Sequence, residues 1–275
     1  MDGKIICINK FIHKVLLSNN TIIDTRTRGK LRNNKVSPVV GDNVEVNINT
    51  KTIEKVMPRR NYLERPLIAN IDKLLIVMST SIPVFSSYLI DKFLLIAYSN
   101  NIEPIIIITK MDMISVKEKL EIKKIISYYR KLGIKVYTNK SIKKIKNEFK
   151  NSTIALCGQT GSGKSSLLNR IDASLKLKTG EVSLSLGRGK HTTRLVELLE
   201  VNGGLIADTP GFSSLDINID KKDIKKYYKD FNKPCKYRSC IHIKEEGCKI
   251  IYLYEKGKIP SWRYENYLKF IEEVS

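Results

Sequence analysis

Hydrophobic and polar positions alternate in short runs over the first 65 residues: Lys4 to Ile8, Lys14 to Leu17, Thr21 to Asp24, and Asn43 to Ile48 after the turn signal Val40-Gly41-Asp42. Period-two alternation in runs this short, with no helical period between them, predicts β-strands closing into a small barrel. From Ile71 the pattern changes. Nearly continuous apolar runs at 73–78, 105–109, 135–137, 153–157, 195–200 and 205–208 are separated by amphipathic stretches near 86–100 and 116–132 and from Lys164. Strands that are apolar on both faces and alternate with helices predict a mostly parallel α/β sheet covered on both sides. After Phe212 the sheet pattern stops, and a Lys/Tyr-rich helix, a cysteine cluster and a final helix from Ser261 follow. Three domains are expected, at 1–65, 66–214 and 215–275.

Charge narrows the partner. The 275 residues hold 49 Lys and Arg against 28 Asp and Glu, a net charge of +21, and a chain this basic seeks a polyanion. The apolar runs Leu74 to Met78 and Ile105 to Ile108 fall far short of the ~18 residues of a spanning helix, and Met1 to Lys10 lacks a signal-peptide pattern. No stretch has the large apolar face opposite a basic face that a membrane surface would require. A cytoplasmic monomer that binds RNA or DNA, with no membrane contact, is therefore expected. Residues 1–65 hold the densest excess, 13 basic against 6 acidic groups, with Arg26, Arg28, Lys30, Arg32 and Lys35 in one loop. Phe11 and Tyr62 are the only aromatics there, so contact with the phosphate backbone is expected rather than base stacking. Lysines such as Lys143, Lys144 and Lys146 are equally expected on solvated helix faces.

Chemistry enters after the strand at 153–157. Gly158-Gln159-Thr160-Gly161-Ser162-Gly163-Lys164-Ser165 matches G-x-x-x-x-G-K-[ST] between a strand and a helix that continues through Ser166. Glycines let backbone N–H groups wrap the α- and β-phosphates, Lys164 reaches the β/γ oxygens and the Ser165 hydroxyl can ligate Mg²⁺. Asp208-Thr209-Pro210-Gly211 ends another strand, placing a carboxylate for Mg²⁺ and the Gly211 N–H for a γ-phosphate. Between them lies Gly187-Arg188-Gly189-Lys190-His191-Thr192-Thr193-Arg194, a first switch segment in which Thr193 is preferred to Thr192 as Mg²⁺ ligand. Thr109-Lys110-Met111-Asp112 follows the strand at 105–108. A carboxylate at 112 accepts from both N1–H and N2–H₂ of guanine, whereas adenine presents a lone pair there, so GTP is expected over ATP. Residues 137–141, at the next strand end, could complete the purine pocket.

Cys235-x₄-Cys240-x-His242-x₅-Cys248 places three thiolates and one imidazole close together, enough for a closed, structural zinc site. Cys7 and Cys157 lie in strands and are expected as buried apolar residues.

Motif order is the distinguishing feature, since the base-reading strand precedes the P-loop, the reverse of an ordinary small GTPase. The chain resembles, over essentially its whole length, the circularly permuted GTPases of small-ribosomal-subunit biogenesis. The resemblance is carried by Val40-Gly41-Asp42, Arg59 to Pro66, the permuted order, the 187–193 segment and the cysteine cluster. It implies an N-terminal OB-fold, a central GTPase and a C-terminal zinc domain, with the 30S subunit and its rRNA as partners. Phe212 stands where a water-orienting glutamine would be, so hydrolysis is expected to be slow alone and to need a group from elsewhere, either His191, to which the resemblance also points, or one held by RNA. The alternative is a nucleotide-gated RNA-binding module with negligible hydrolysis. Because the second switch leads directly into the C-terminal segment, nucleotide-driven movement could shift that segment.

Overall fold

In a computed structural model, residues 1–27, 37–64, 66–177, 196–208 and 217–274 are described. Among the described residues thirteen strands run in chain order. The first five are β1 (Asp2–Asn9), β2 (Ile12–Leu17), β3 (Ile22–Thr27), β4 (Asn43–Asn47) and β5 (Thr52–Val56). They pair as β1–β2, β2–β3, β3–β5, β5–β4 and β4–β1, which closes the sheet on itself into a five-stranded barrel. The alternation that predicts these strands also fills the barrel, because Ile5, Val15, Leu17, Val44, Val46 and Ile53 point inward and pack together. The fifth strand has no counterpart in the hydrophobic pattern, since Ile53 is its only buried side chain.

A hairpin, β6 (Tyr62–Glu64) and β7 (Leu67–Ala69), leads into the α/β region. There β8 (Lys73–Ser79), β9 (Glu103–Thr109), β10 (Lys135–Thr138), β11 (Thr153–Cys157), β12 (Glu197–Val201) and β13 (Gly204–Asp208) lie side by side in the order β10-β9-β8-β11-β13-β12. All are parallel except β12, which forms an antiparallel hairpin with β13. Helices α1 (Ser87–Ser99), α2 (Val116–Lys131), α3 (Ile142–Phe149) and α4 (Lys164–Ile171) connect the parallel strands. Their apolar faces form two core clusters, one including Phe93, Ile96 and Ile126 and the other Phe149, Leu167 and Leu168. The sheet does not stop at the barrel, for β12 pairs with β1 at Cys7↔Glu197 and gives eleven strands in one sheet. Cys7 and Cys157 are both buried.

The C-terminal region is helical: α5 (Ile224–Tyr227), α6 (Lys249–Glu255) and α7 (Ser261–Glu273). The Lys/Tyr-rich stretch makes a single α-helical turn rather than a long helix. Tyr228 and Phe231, directly after it, turn inward to the core shared with Ile250, Tyr264, Tyr267 and Phe270, which bends the chain away from the helix axis. Among the described residues no helix is long and apolar enough to cross a membrane.

Candidate nucleotide site and metal centre

The C-terminal ends of β8, β9 and β11 converge on one edge of the sheet, the place where open α/β sheets bind ligands. Gly158, the first residue after β11, has φ +132, and a Cβ there would stand 2.1 Å from the Val77 carbonyl oxygen. Only glycine lets the loop turn this close to β8. Gln159, Thr160 and Gly161 continue the loop, Ser162 is fully buried, and Gly163 at φ 93 opens α4. Lys164 folds back over the loop and donates to the carbonyls of Gly158 and Gln159, both at 2.8 Å. Burial pushes its ammonium below the ordinary lysine range. Ser165 and Ser166 follow in the first turn of α4, Ser165 half-buried and Ser166 exposed.

The segment 109–112 lies against this loop. Thr109 Oγ1 donates to the Ser162 carbonyl at 2.7 Å, and Lys110 Nζ donates to the Gly161 carbonyl at 2.9 Å. Lys110 adopts a left-handed φ of 58 and starts the short 3₁₀ turn Met111–Met113, which leaves the Asp112 side chain exposed. Two sequence motifs about fifty residues apart are thus joined by direct hydrogen bonds. Asn139, after β10, donates its N–H to Ile108 at 3.0 Å, and its carbonyl accepts from Arg170 of α4 at 2.8 Å. The 137–141 stretch therefore lies at the same edge.

Asp208 ends β13 one residue beyond Ala207, which pairs with Ala155 of β11, so its backbone reaches the same edge. His191, Thr192, Thr193, Gly211 and Phe212 lie outside the described residues, as does the basic loop from Arg28 to Lys35. One contributor carries no motif signal. Lys110 Nζ also bonds the Ile82 carbonyl, and Pro83 comes within 3.6 Å of where a Gly161 Cβ would be, so the 80–85 loop forms a wall of the site.

In the C-terminal region Cys235, Cys240, His242 and Cys248 bring their ligand atoms within 4.8 Å of one another. His242 Nδ1 lies 3.6, 3.4 and 3.3 Å from the sulfurs of Cys235, Cys240 and Cys248. Bond lengths of about 2.3 Å to sulfur and 2.0 Å to nitrogen at tetrahedral angles give an N···S edge of about 3.6 Å, so the cluster fits a tetrahedral ion with no position left open. The surroundings hold it. Tyr264 Oη donates to the His242 carbonyl and Tyr267 Oη to the Ile241 carbonyl, both at 2.8 Å, while Glu245 accepts from Ile241 and Ile243 N–H. Burial pushes the Cys240 thiol up to about 12, so in this setting its sulfur gains its charge when a cation displaces the proton.

A P-loop on a central parallel strand, with a T-K-x-D segment on a strand that comes earlier in the chain, defines a circularly permuted GTPase. Residues 56–218 match the RsgA GTPase family and residues 3–53 the RsgA N-terminal domain, and the chain belongs to the RsgA GTPase family. It is 42% identical to the "Small ribosomal subunit biogenesis GTPase RsgA" of Geobacillus sp. (strain WCH70), with 99% of this chain and 97% of that protein covered. Against the protein of the same name from Staphylococcus epidermidis the identity is 44%, with the same coverage. Two solved structures are also similar. YloQ, described as a circularly permuted GTPase, matches with a TM-score of 0.83 at 34% identity, covering 99% of this chain and 94% of that one. YjeQ from Thermotoga maritima matches with a TM-score of 0.85 at 32% identity, covering 99% and 98%.

Proposed function

We propose that this GTPase acts in late maturation of the small ribosomal subunit in the cytoplasm, as a monomer that binds 30S rRNA, hydrolyses GTP on the subunit and then departs. The observation that carries the reading is the pair of hydrogen bonds from Thr109 and Lys110 to Ser162 and Gly161, which unites a guanine-selecting segment with a phosphate-wrapping loop. In this reading residues 158–166 hold the phosphates, Lys110 and Met111 bracket the base and Asp112 accepts from its N1–H and N2–H₂. Lys164 would leave the Gly158 and Gln159 carbonyls to meet the β- and γ-phosphates. Gly211 N–H would meet the γ-phosphate. Mg²⁺, held by Ser165, Asp208 and Thr193, would neutralise charge on the phosphate oxygens.

The barrel, taken as 1–65, would contact rRNA backbone through its basic loop, and binding would weaken steeply with salt. The GTPase unit is taken as 66–214. The cysteine cluster of 215–275 would hold zinc as a structural ion, in keeping with a donor set of three sulfurs and one nitrogen. His191, acting on the subunit, would position the attacking water. GTP turnover measured with and without purified 30S subunits tests the scheme. Stimulation is expected; without it the chain would be a nucleotide-gated RNA-binding module. Full stimulated turnover by His191→Ala would move the water-positioning role to a group on the subunit.

A further inference from the structure

Thr109 is the last residue of β9, and it is almost wholly covered, with 4% of its surface exposed. Its Oγ1 donates to Ser162 O at 2.7 Å and also lies 3.3 Å from Met78 O. Its own carbonyl accepts from Thr80 N at 3.2 Å and from Thr80 Oγ1 at 3.1 Å. The P-loop covers it from above, since a Cβ on Gly163 would meet the Thr109 side chain at 3.7 to 3.8 Å. A hydroxyl owns one hydrogen, and both carbonyls that compete for this one belong to the protein. Guanine N7 is an acceptor only. When Asp112 holds the Watson–Crick edge, the ring presents N7 on its other, imidazole side, and position 109 is the last side chain of β9 before the turn that carries Asp112.

We infer that Thr109 is a tie between β9 and the P-loop rather than a base contact: the site selects guanine through Asp112, and position 109 leaves N7 without a hydrogen bond. The inference rests on the proposed guanine site. Lys110 does not replace the missing donor from a free position, because its ammonium is fastened to the Gly161 and Ile82 carbonyls. An amide at 109 would behave differently. Its two N–H donors could serve Ser162 O and N7 together.

The experiment is displacement of a fluorescent GDP from the full chain by GTP, 7-deaza-GTP, ITP and ATP. GTP and 7-deaza-GTP, which differ only at N7, are expected to bind within about twofold of each other, because no hydrogen bond is lost between them. In Thr109→Asn, 7-deaza-GTP is expected to bind roughly five- to tenfold more weakly than GTP. Thr109→Val removes the tie without adding a donor. It should weaken GTP and 7-deaza-GTP alike and keep their ratio near one. A tenfold preference of the parent chain for GTP over 7-deaza-GTP overturns the inference, and so does a Thr109→Asn ratio that stays at one. ITP or ATP binding as tightly as GTP would instead bring down the reading of Asp112, a separate failure visible in the same titration.

Discussion

Asp91 of α1 and Arg263 of α7, 172 residues apart in sequence, form an ion pair buried almost completely between the GTPase and C-terminal regions. Asp91 also accepts from Tyr129 Oη at 2.7 Å, Tyr228 Oη at 2.9 Å and Asn266 Nδ2 at 2.8 Å. Arg263 reaches a second carboxylate, Asp230, at 2.7 Å, and its guanidinium lies 3.7 Å from the centre of the Tyr228 ring. The C-terminal region is therefore held by α1 and α2, not only by the chain that leads into it from the second switch. Arg263→Ala strands the buried Asp91 carboxylate, and Asp91→Ala leaves Arg263 with Asp230 alone and takes the acceptor from Tyr129, Tyr228 and Asn266, so each should cost about 3–5 kcal/mol in denaturant unfolding. The double replacement Asp91→Leu, Arg263→Met should cost clearly less than the sum of the single losses. Additive losses would show that the pair does not act as a unit.

The metal cluster can be tested through the chain's one tryptophan. Trp262 opens α7 and meets Tyr128 and Tyr129 of α2 at ring distances of 5.6 Å. A strong chelator, or Cys240→Ser, should release the ligands, loosen α7 and shift Trp262 emission to the red. The same treatment should leave GTP affinity within about twofold, since the hydrogen bonds that join Thr109 and Lys110 to the P-loop involve no residue of the C-terminal region. Emission that ignores the chelator would mean that the cluster holds its shape without metal.

Two glycines of the P-loop predict different outcomes. Gly158→Ala would drive a Cβ to 2.1 Å from the Val77 carbonyl of β8, a strand paired on both sides by β9 and β11. Loss of GTP binding by more than about a hundredfold, or a misfolded protein, is expected, because steric strain adds to the cost of the positive φ. Gly161→Ala meets nothing closer than 3.6 Å and carries only the penalty of φ +79, about 1–2 kcal/mol. Paired titrations with GTP and paired thermal melts would separate the two.

Glu148 of α3 gives a pH test. Burial pushes its carboxyl up, but hydrogen bonds from Lys73, Tyr137 and Lys135 outweigh that, and the group ends below the usual glutamate value. A folded-state value below the unfolded one means that the native protein holds the proton less tightly. The contribution is thus complete above the unfolded pKa of about 4.3 and disappears as pH falls through the lower folded value. Unfolding midpoints of the parent and Glu148→Gln should differ at pH 7 and converge from about pH 4 downward. A gap that stays constant to pH 3 would contradict this origin.

Much of the fold could be read from residue order, because its signals are local. The strand-P-loop-helix unit at 153–166 and the alternating barrel strands announce themselves within a few residues. The ligand spacing of the cysteine cluster does so as well. Contacts made at long range left no such trace. Nothing near Ile82 marks its carbonyl as a partner of Lys110, and Asp91 reads as one more polar residue on a helix until α7 packs against it. The single turn of α5 belongs to the same class, since its lysines favour helix but Tyr228 and Phe231 are drawn into a core built by residues as far along the chain as Phe270.

The shared sheet and α4 fix the chain on either side of the stretch between Leu177 and Val196. Its near end is moored by Asn169, which exchanges two hydrogen bonds of 2.8 Å with the Leu177 backbone. Its far end runs into β12, which lies between β13 and the barrel strand β1. The barrel thus grips β12 from one side while β13 grips it from the other. Whatever seizes the barrel takes hold of the edge of the nucleotide sheet as well.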